Sequence, residues 1–255
     1  MVRRIRRLRG RLSLDVNTLV EFYDSPLGGV VKRALGAKLQ AQWGRCAGLC
    51  VASLGYGAPL LEPFRQEAQR ALCLMPAEQG VAPWPITGRN AAALVDLTMM
   101  PLPDGCIDRM VLIHSLETSE EPGALLEEAA RVLAPAGRGV IVAPTRRGFW
   151  ARGDGTPFGF GQPFSRGQLR ELIGAASLTP MSWGEALLAP PLAARLFINS
   201  ALAFEAVGAL VGWPFAGVHF VGVTKQVARL VPVRRADRRR ALLAQPRLAV
   251  SGQRA

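Results

Sequence analysis

The chain is expected to fold as an α/β protein with a doubly wound, mostly parallel sheet. Three observations carry that expectation. Short apolar runs alternate with amphipathic helical segments from residue 49 to 176, the order that places helices on both faces of a parallel sheet. The first of these runs, Leu49–Leu54, breaks into Gly55-Tyr56-Gly57. A glycine pair just past a buried strand lets the backbone turn with positive φ and lets a ligand approach the main chain. Finally, an apolar run at 216–223 supplies a terminal strand.

Taken in order, 15–43 reads as helical. Asp15 is a natural cap, and Val16, Leu19, Val20 and Tyr23 share one face. Ser25-Pro26-Leu27-Gly28-Gly29 interrupts the helix, and a second one carries Val31, Leu35, Leu39 and Trp43. Strands follow at 49–54 and 70–75, with a short helix over 60–69 between them. A connector bearing Pro and Trp, 80–90, leads to strands at 91–96 and 109–114. The helix 122–133 stops at Ala134-Pro135-Ala136-Gly137, and a strand covers 139–143. The stretch 146–164, rich in Gly and Phe, has no period. Ser165 and Gln168 form a capping box for a helix over 166–176, and a further helix is expected near 192–211.

Composition narrows the function classes. With 255 residues, 49% of them hydrophobic, the chain can build a large core. The net charge of +12 is concentrated at the ends. Residues 1–12 hold six arginines and no acid, and 229–255 hold eight arginines against Asp237, so the body over 13–228 is near neutral. The division expected is a basic arm (1–12), a globular domain (13–228, core 49–185) and a basic tail (229–255). Such arms are usually solvated, and they are also suited to an anionic partner: RNA, a membrane surface or an acidic protein. The use of arginine over lysine is the habit of GC-rich bacterial genes. Cys46, Cys50, Cys73 and Cys106 lack a CxxC spacing, and with only His114 and His219 they make no zinc site. Reduced thiols and a cytoplasmic location fit. No stretch has the length and apolarity of a membrane span, and the Arg-rich start has no apolar core of a secretory signal, although an acid-free start of this kind also resembles an organellar transit peptide.

Two longer motifs sharpen the reading. Asp96-Leu97-Thr98-Met99-Met100-Pro101-Leu102-Pro103-Asp104-Gly105-Cys106-Ile107-Asp108 is similar to an acid followed by "LPFPDGSFD". Glu127-Glu128-Ala129-Ala130-Arg131-Val132-Leu133-Ala134-Pro135-Ala136-Gly137-Arg138 is similar to "REIARVLKPGGR". With the glycine turn, and in this order, they resemble class I S-adenosylmethionine-dependent methyltransferases of the type 11 branch, over 49–145 closely and 146–185 loosely. The resemblance implies a Rossmann-like, seven-strand sheet and S-adenosylmethionine as cofactor. The cofactor crevice it implies is built from Ser53, Gly55, Tyr56, Gly57, Met75, Pro76, Asp96, Leu97, Ile113 and Ser115.

Two of the three acids that the family uses on the cofactor are absent. Ser53 stands where the family's strand motif "hhDhGxG" has its acid, and Met75 stands where an acid binds the ribose diol. A thioether accepts hydrogen bonds weakly, a loss of roughly 1–3 kcal/mol. On this reading Met75→Asp should tighten binding. Asp96 occupies the position that meets the adenine amino group. Glu78 is either a substitute for the ribose acid or a solvated residue. His114, Ser115 and Glu117 follow the fourth strand at the carboxyl edge, where α/β sheets bind ligands. His114 is a candidate general base or a packing residue. Residues 146–161 are either an acceptor-side loop or an ordered plug over the core.

The expected function is methyl transfer to a small-molecule acceptor. The alternatives are a methyltransferase-fold binding or scaffold protein without catalysis, favoured by Ser53 and Met75, and an RNA-associated methyltransferase using the arginine-rich arms.

Overall fold

The structure, a computed structural model, describes residues 14–151, 155–188, 190–191 and 216–226. The arm at 1–12, the tail at 229–255 and the helix expected near 192–211 lie outside them. Seven strands form one sheet in the order β3-β2-β1-β4-β5-β7-β6. β1 (Cys50–Leu54), β2 (Arg70–Pro76), β3 (Ala92–Val95), β4 (Ile107–Leu112) and β5 (Leu133–Pro144) pair in parallel. β7 (Val218–Lys225) runs antiparallel between β5 and β6 (Leu178–Ala186).

The period-2 alternation of strand side chains divides the core into two layers. Val51, Cys73, Met75, Val111, Ile113, Val140 and Val142 face one way, against α1 (Val16–Asp24), α2 (Pro26–Trp43) and α3 (Ala58–Leu61). Ala52, Leu54, Leu74, Met110, Leu112, Ile141 and Ala143 face the other, against α4 (Pro122–Val132) and α5 (Arg166–Ala175). The N-terminal helices are part of the first layer: Leu19, Val31, Leu35 and Leu39 are fully buried.

Local chemistry sets the helix ends. The Asp15 side chain accepts from Asn17 N. Ser25 ends α1 and caps α2, accepting from Gly28 N at 3.1 Å, so the expected interruption is one residue wide and Gly28 and Gly29 are helical. The Ser165–Gln168 capping box is present on both sides. Helix over 60–69 is confined to α3 and one 3-10 turn, Glu62–Phe64.

Two other expectations change. α4 passes directly into β5 at Leu133, because Leu133 pairs with Ile107 and the turn-like Ala134–Gly137 segment is absorbed by a bulge opposite Ile107–Arg109. The carbonyls of Arg131 and Leu133 accept from Lys225 Nζ on β7. β6 has no counterpart in the sequence reading. Pro180 and Gly184 lie inside it, and Met181 is exposed, so the segment shows no strand pattern; its pairing with β7 defines it.

Candidate functional site

The glycine turn is built as the sequence suggests. Gly55 has φ +87°, donates to Leu74 O at 2.8 Å, and its α-carbon faces the Ile113 carbonyl so closely that a Cβ would overlap it. Gly57 packs on Ser53, whose Oγ lies 3.4 Å from Gly55 O. Ser53 thus fits a turn with little room for a larger side chain. Tyr56 is buried beside Tyr23, and burial pushes its phenol up to about 12.

After β4 the chain enters a strained corner. His114, fully buried, has φ +54°, uncommon for a residue with a Cβ. Its ring lies between Tyr23 and Phe158, and a 2.9 Å hydrogen bond joins its Nε2 to the Tyr23 hydroxyl. Burial drives the Tyr23 phenol well above its ordinary value. On the other side, His114 Nδ1 stands 3.5 Å from Glu117 Oε1. The backbone carbonyl of His114 accepts from Gln79 Nε2 at 3.0 Å, and Gln79 O accepts from Val16 N, tying α1 to the end of β2.

A crevice of about 670 Å³ opens at the carboxyl edge of the parallel strands. Its walls are residues 76–79, 96–98 and 115–122, with Leu14, Leu125, Gln162 and Phe164. Among the residues expected at the site, Pro76, Asp96, Leu97 and Ser115 meet here. Ser53, Gly55, Tyr56, Gly57, Met75, Ile113 and His114 are buried and do not line this crevice. Met75 is fully buried in the first core layer, whereas Glu78 lies on the wall. Asp96 is exposed; the Thr98 hydroxyl and backbone N–H donate to its Oδ1 and hold its carboxyl below the usual carboxylate range.

The stretch 146–161 is an ordered plug in part. Trp150 and Phe158 are buried and stack edge-on 5.7 Å apart, Phe158 against His114. Phe149 remains exposed. Gly161 lets the loop close on the Glu117 carbonyl, which accepts from Gln162 N at 2.7 Å.

Gln79 and Thr98 also face the crevice. Gln79 follows a strand end with no motif around it, so nothing in the sequence marks it. What the walls offer is hydrogen-bond acceptors. Among the described residues, both carboxylate oxygens of Glu117, Ser115 Oγ and Gln79 Oε1 are buried without a hydrogen-bond partner. A ligand rich in hydroxyl or amino donors fits them, as does an adenine amino group at Asp96. The residues present therefore suit an S-adenosyl group, with Asp96 as the one acid of the family's three that lines the crevice. No group of three or more His, Cys, Asp or Glu among the described residues is placed to hold a metal ion.

The sheet order with its single reversed strand, and the crevice at the carboxyl edge, are those of the class I S-adenosylmethionine-dependent methyltransferase fold. Residues 55–141 match the family described as "Methyltransferase domain". A comparison with curated protein sequences found no match. Among solved structures, the [4+2]-cyclase SpnF is similar at 22% identity and TM-score 0.56, over 77% of this chain and 81% of that one. An S-adenosylmethionine-dependent methyltransferase from Mesorhizobium loti is similar at 15% identity and TM-score 0.51, over 73% and 95%. The 1,6-didemethyltoxoflavin-N1-methyltransferase of Burkholderia thailandensis, determined with bound 1,6-didemethyltoxoflavin and S-adenosylhomocysteine, is similar at 16% identity and TM-score 0.50, over 82% and 81%.

Proposed function

We propose that this chain is an S-adenosylmethionine-dependent methyltransferase acting on a small-molecule acceptor. The observation that carries the reading is the crevice at the carboxyl edge, with Asp96 at one wall and the buried acceptors of Ser115, Glu117 and Gln79 at another. The methyltransferase domain over 55–141 and the solved structures named for small-molecule methylation support it. When bound, the cofactor supplies a methyl group on a sulfonium, already a good leaving group. The protein's share of the work is then orientation and exclusion of water. Asp96 accepts from the adenine amino group. His114 is buried between Tyr23 and Phe158. In this reading it is a positioning residue that holds α1 against the corner after β4.

A second reading, a binding or scaffold protein without catalysis, is favoured by the missing carboxylates at Ser53 and Met75. The fold also serves a [4+2]-cyclase, so architecture by itself does not commit the chain to methyl transfer. Calorimetric titration with S-adenosylmethionine and S-adenosylhomocysteine decides whether the crevice holds the cofactor. Binding by the wild type that weakens in Asp96→Ala supports the first part of the reading. No heat at millimolar ligand would refute it. Release of S-adenosylhomocysteine during incubation with candidate acceptors then separates the enzyme from the scaffold.

A further inference from the structure

The acids absent at positions 53 and 75 leave a question of charge, and the crevice contains an answer in an unexpected place. Glu117 follows β4 by a few residues, is 3% exposed, and lines the crevice. Neither of its carboxylate oxygens makes a hydrogen bond among the described residues. Its basic neighbour, His114 Nδ1, stands 3.5 Å away, beyond ordinary N–H···O length. Ser115 Oγ and Gln79 Oε1, on the same walls, are likewise buried and unpaired. A buried carboxylate without donors is costly to keep, and native proteins rarely keep one unless something meets it.

The position is held firmly. The Glu117 backbone carbonyl accepts from Gln162 N, and Gly161 approaches so closely that a side chain there would overlap residue 117. The preceding residue but two, His114, is locked between Tyr23 and Phe158. The carboxylate is therefore presented by a rigid corner.

We infer that Glu117, with Ser115 and Gln79 beside it, is the carboxylate that binds the donor groups of the S-adenosyl ligand, its ribose diol or its α-ammonium, in place of the acids missing at 53 and 75. The inference rests on the proposed function. It moves the ligand's charged anchor from the ends of β1 and β2 to the corner after β4. Both candidate groups are donors, and a carboxylate accepts from either by charge-assisted bonds.

The test is calorimetric titration of S-adenosylhomocysteine and 5′-methylthioadenosine into the full chain and its Glu117→Gln variant, with thermal melts of both unliganded proteins. The expected result is a loss of about tenfold or more in affinity for S-adenosylhomocysteine in Glu117→Gln. The unliganded variant should melt at the same temperature as the wild type or higher, because no internal bond of the carboxylate is lost. Loss with both ligands assigns Glu117 to the ribose diol. Loss with S-adenosylhomocysteine alone assigns it to the α-ammonium, which 5′-methylthioadenosine lacks. Equal affinity in wild type and variant overturns this inference and leaves the proposed function standing. So does a marked drop in the variant's melting temperature, which would make Glu117 a structural acceptor. Absence of binding by the wild type overturns both.

Discussion

Gly55 shows how one residue constrains the region around it. Its φ of +87° and its contact with the Ile113 carbonyl exclude any side chain. Gly55→Ala should cost at least ~2 kcal/mol of stability, read as a shifted urea midpoint at unchanged slope. Tyr23 is the next test at this scale. Tyr23→Phe removes the hydroxyl bonded to His114 Nε2 and leaves a buried ring nitrogen unpaired. A cost of about 1–3 kcal/mol is expected; a melting temperature equal to wild type would show that water or a ring shift satisfies His114. Met75 reverses a sequence-based expectation. Its side chain is fully buried among apolar neighbours, so Met75→Asp should lower the melting temperature instead of supplying a ribose acceptor. Sequence spacing located the residue at the strand end correctly and left open which way its side chain faces.

Among the elements, the loop before β4 is fastened to α4 by one ionic cluster. Arg131 donates to Glu128, to Asp104 and to the carbonyls of Leu102 and Met100, and Glu128 Oε1 accepts from Met100 N. The two long motifs are thus joined in the fold: their charged residues meet in space. Arg131 side-chain bonds hold the Glu128 carboxyl below the usual carboxylate range. A carboxyl depressed in the folded state stabilises the fold above its unfolded value of about 4.3. That contribution is lost as pH falls through the lower folded value. The wild type should therefore lose part of its stability below about pH 4.3, and Glu128→Gln should lose less over the same range in pH-dependent melts. His219 acts in the same direction nearer neutrality. Burial lowers its pKa, although its Nε2 donates to Phe164 O. Stability from the neutral ring is complete above the unfolded value of about 6.5 and falls as the pH drops below it.

For the whole molecule, no helix among the described residues is long and apolar enough to cross a membrane. The charge is distributed unevenly along the chain, with arginine-rich ends flanking a nearly neutral body. Deleting 1–12 and 234–255 should abolish any salt-sensitive retention on heparin or anionic vesicles, with little change in melting temperature. A large loss of stability on deletion would show that the arms contribute to the folded core.

The sequence alone determined the class of architecture, because strand periodicity, the glycine turn and the two motifs are local patterns that follow from backbone sterics and burial. It also located the capping residues Asp15 and Ser165, whose bonds span only two or three positions. Tertiary structure decided the rest. β6 exists because β7 pairs with it; no propensity in a segment with Pro180 and Gly184 announces it. The crevice joins Pro76, Asp96 and Ser115 from three separate connections and leaves Met75 and His114 inside the core. Which acceptors stay unpaired, as at Glu117 and Gln79, depends on partners distant in the chain. Local spacing can place a residue at the ligand edge of a sheet. Only packing determines whether its polar atoms find partners inside the protein or remain unpaired at the crevice.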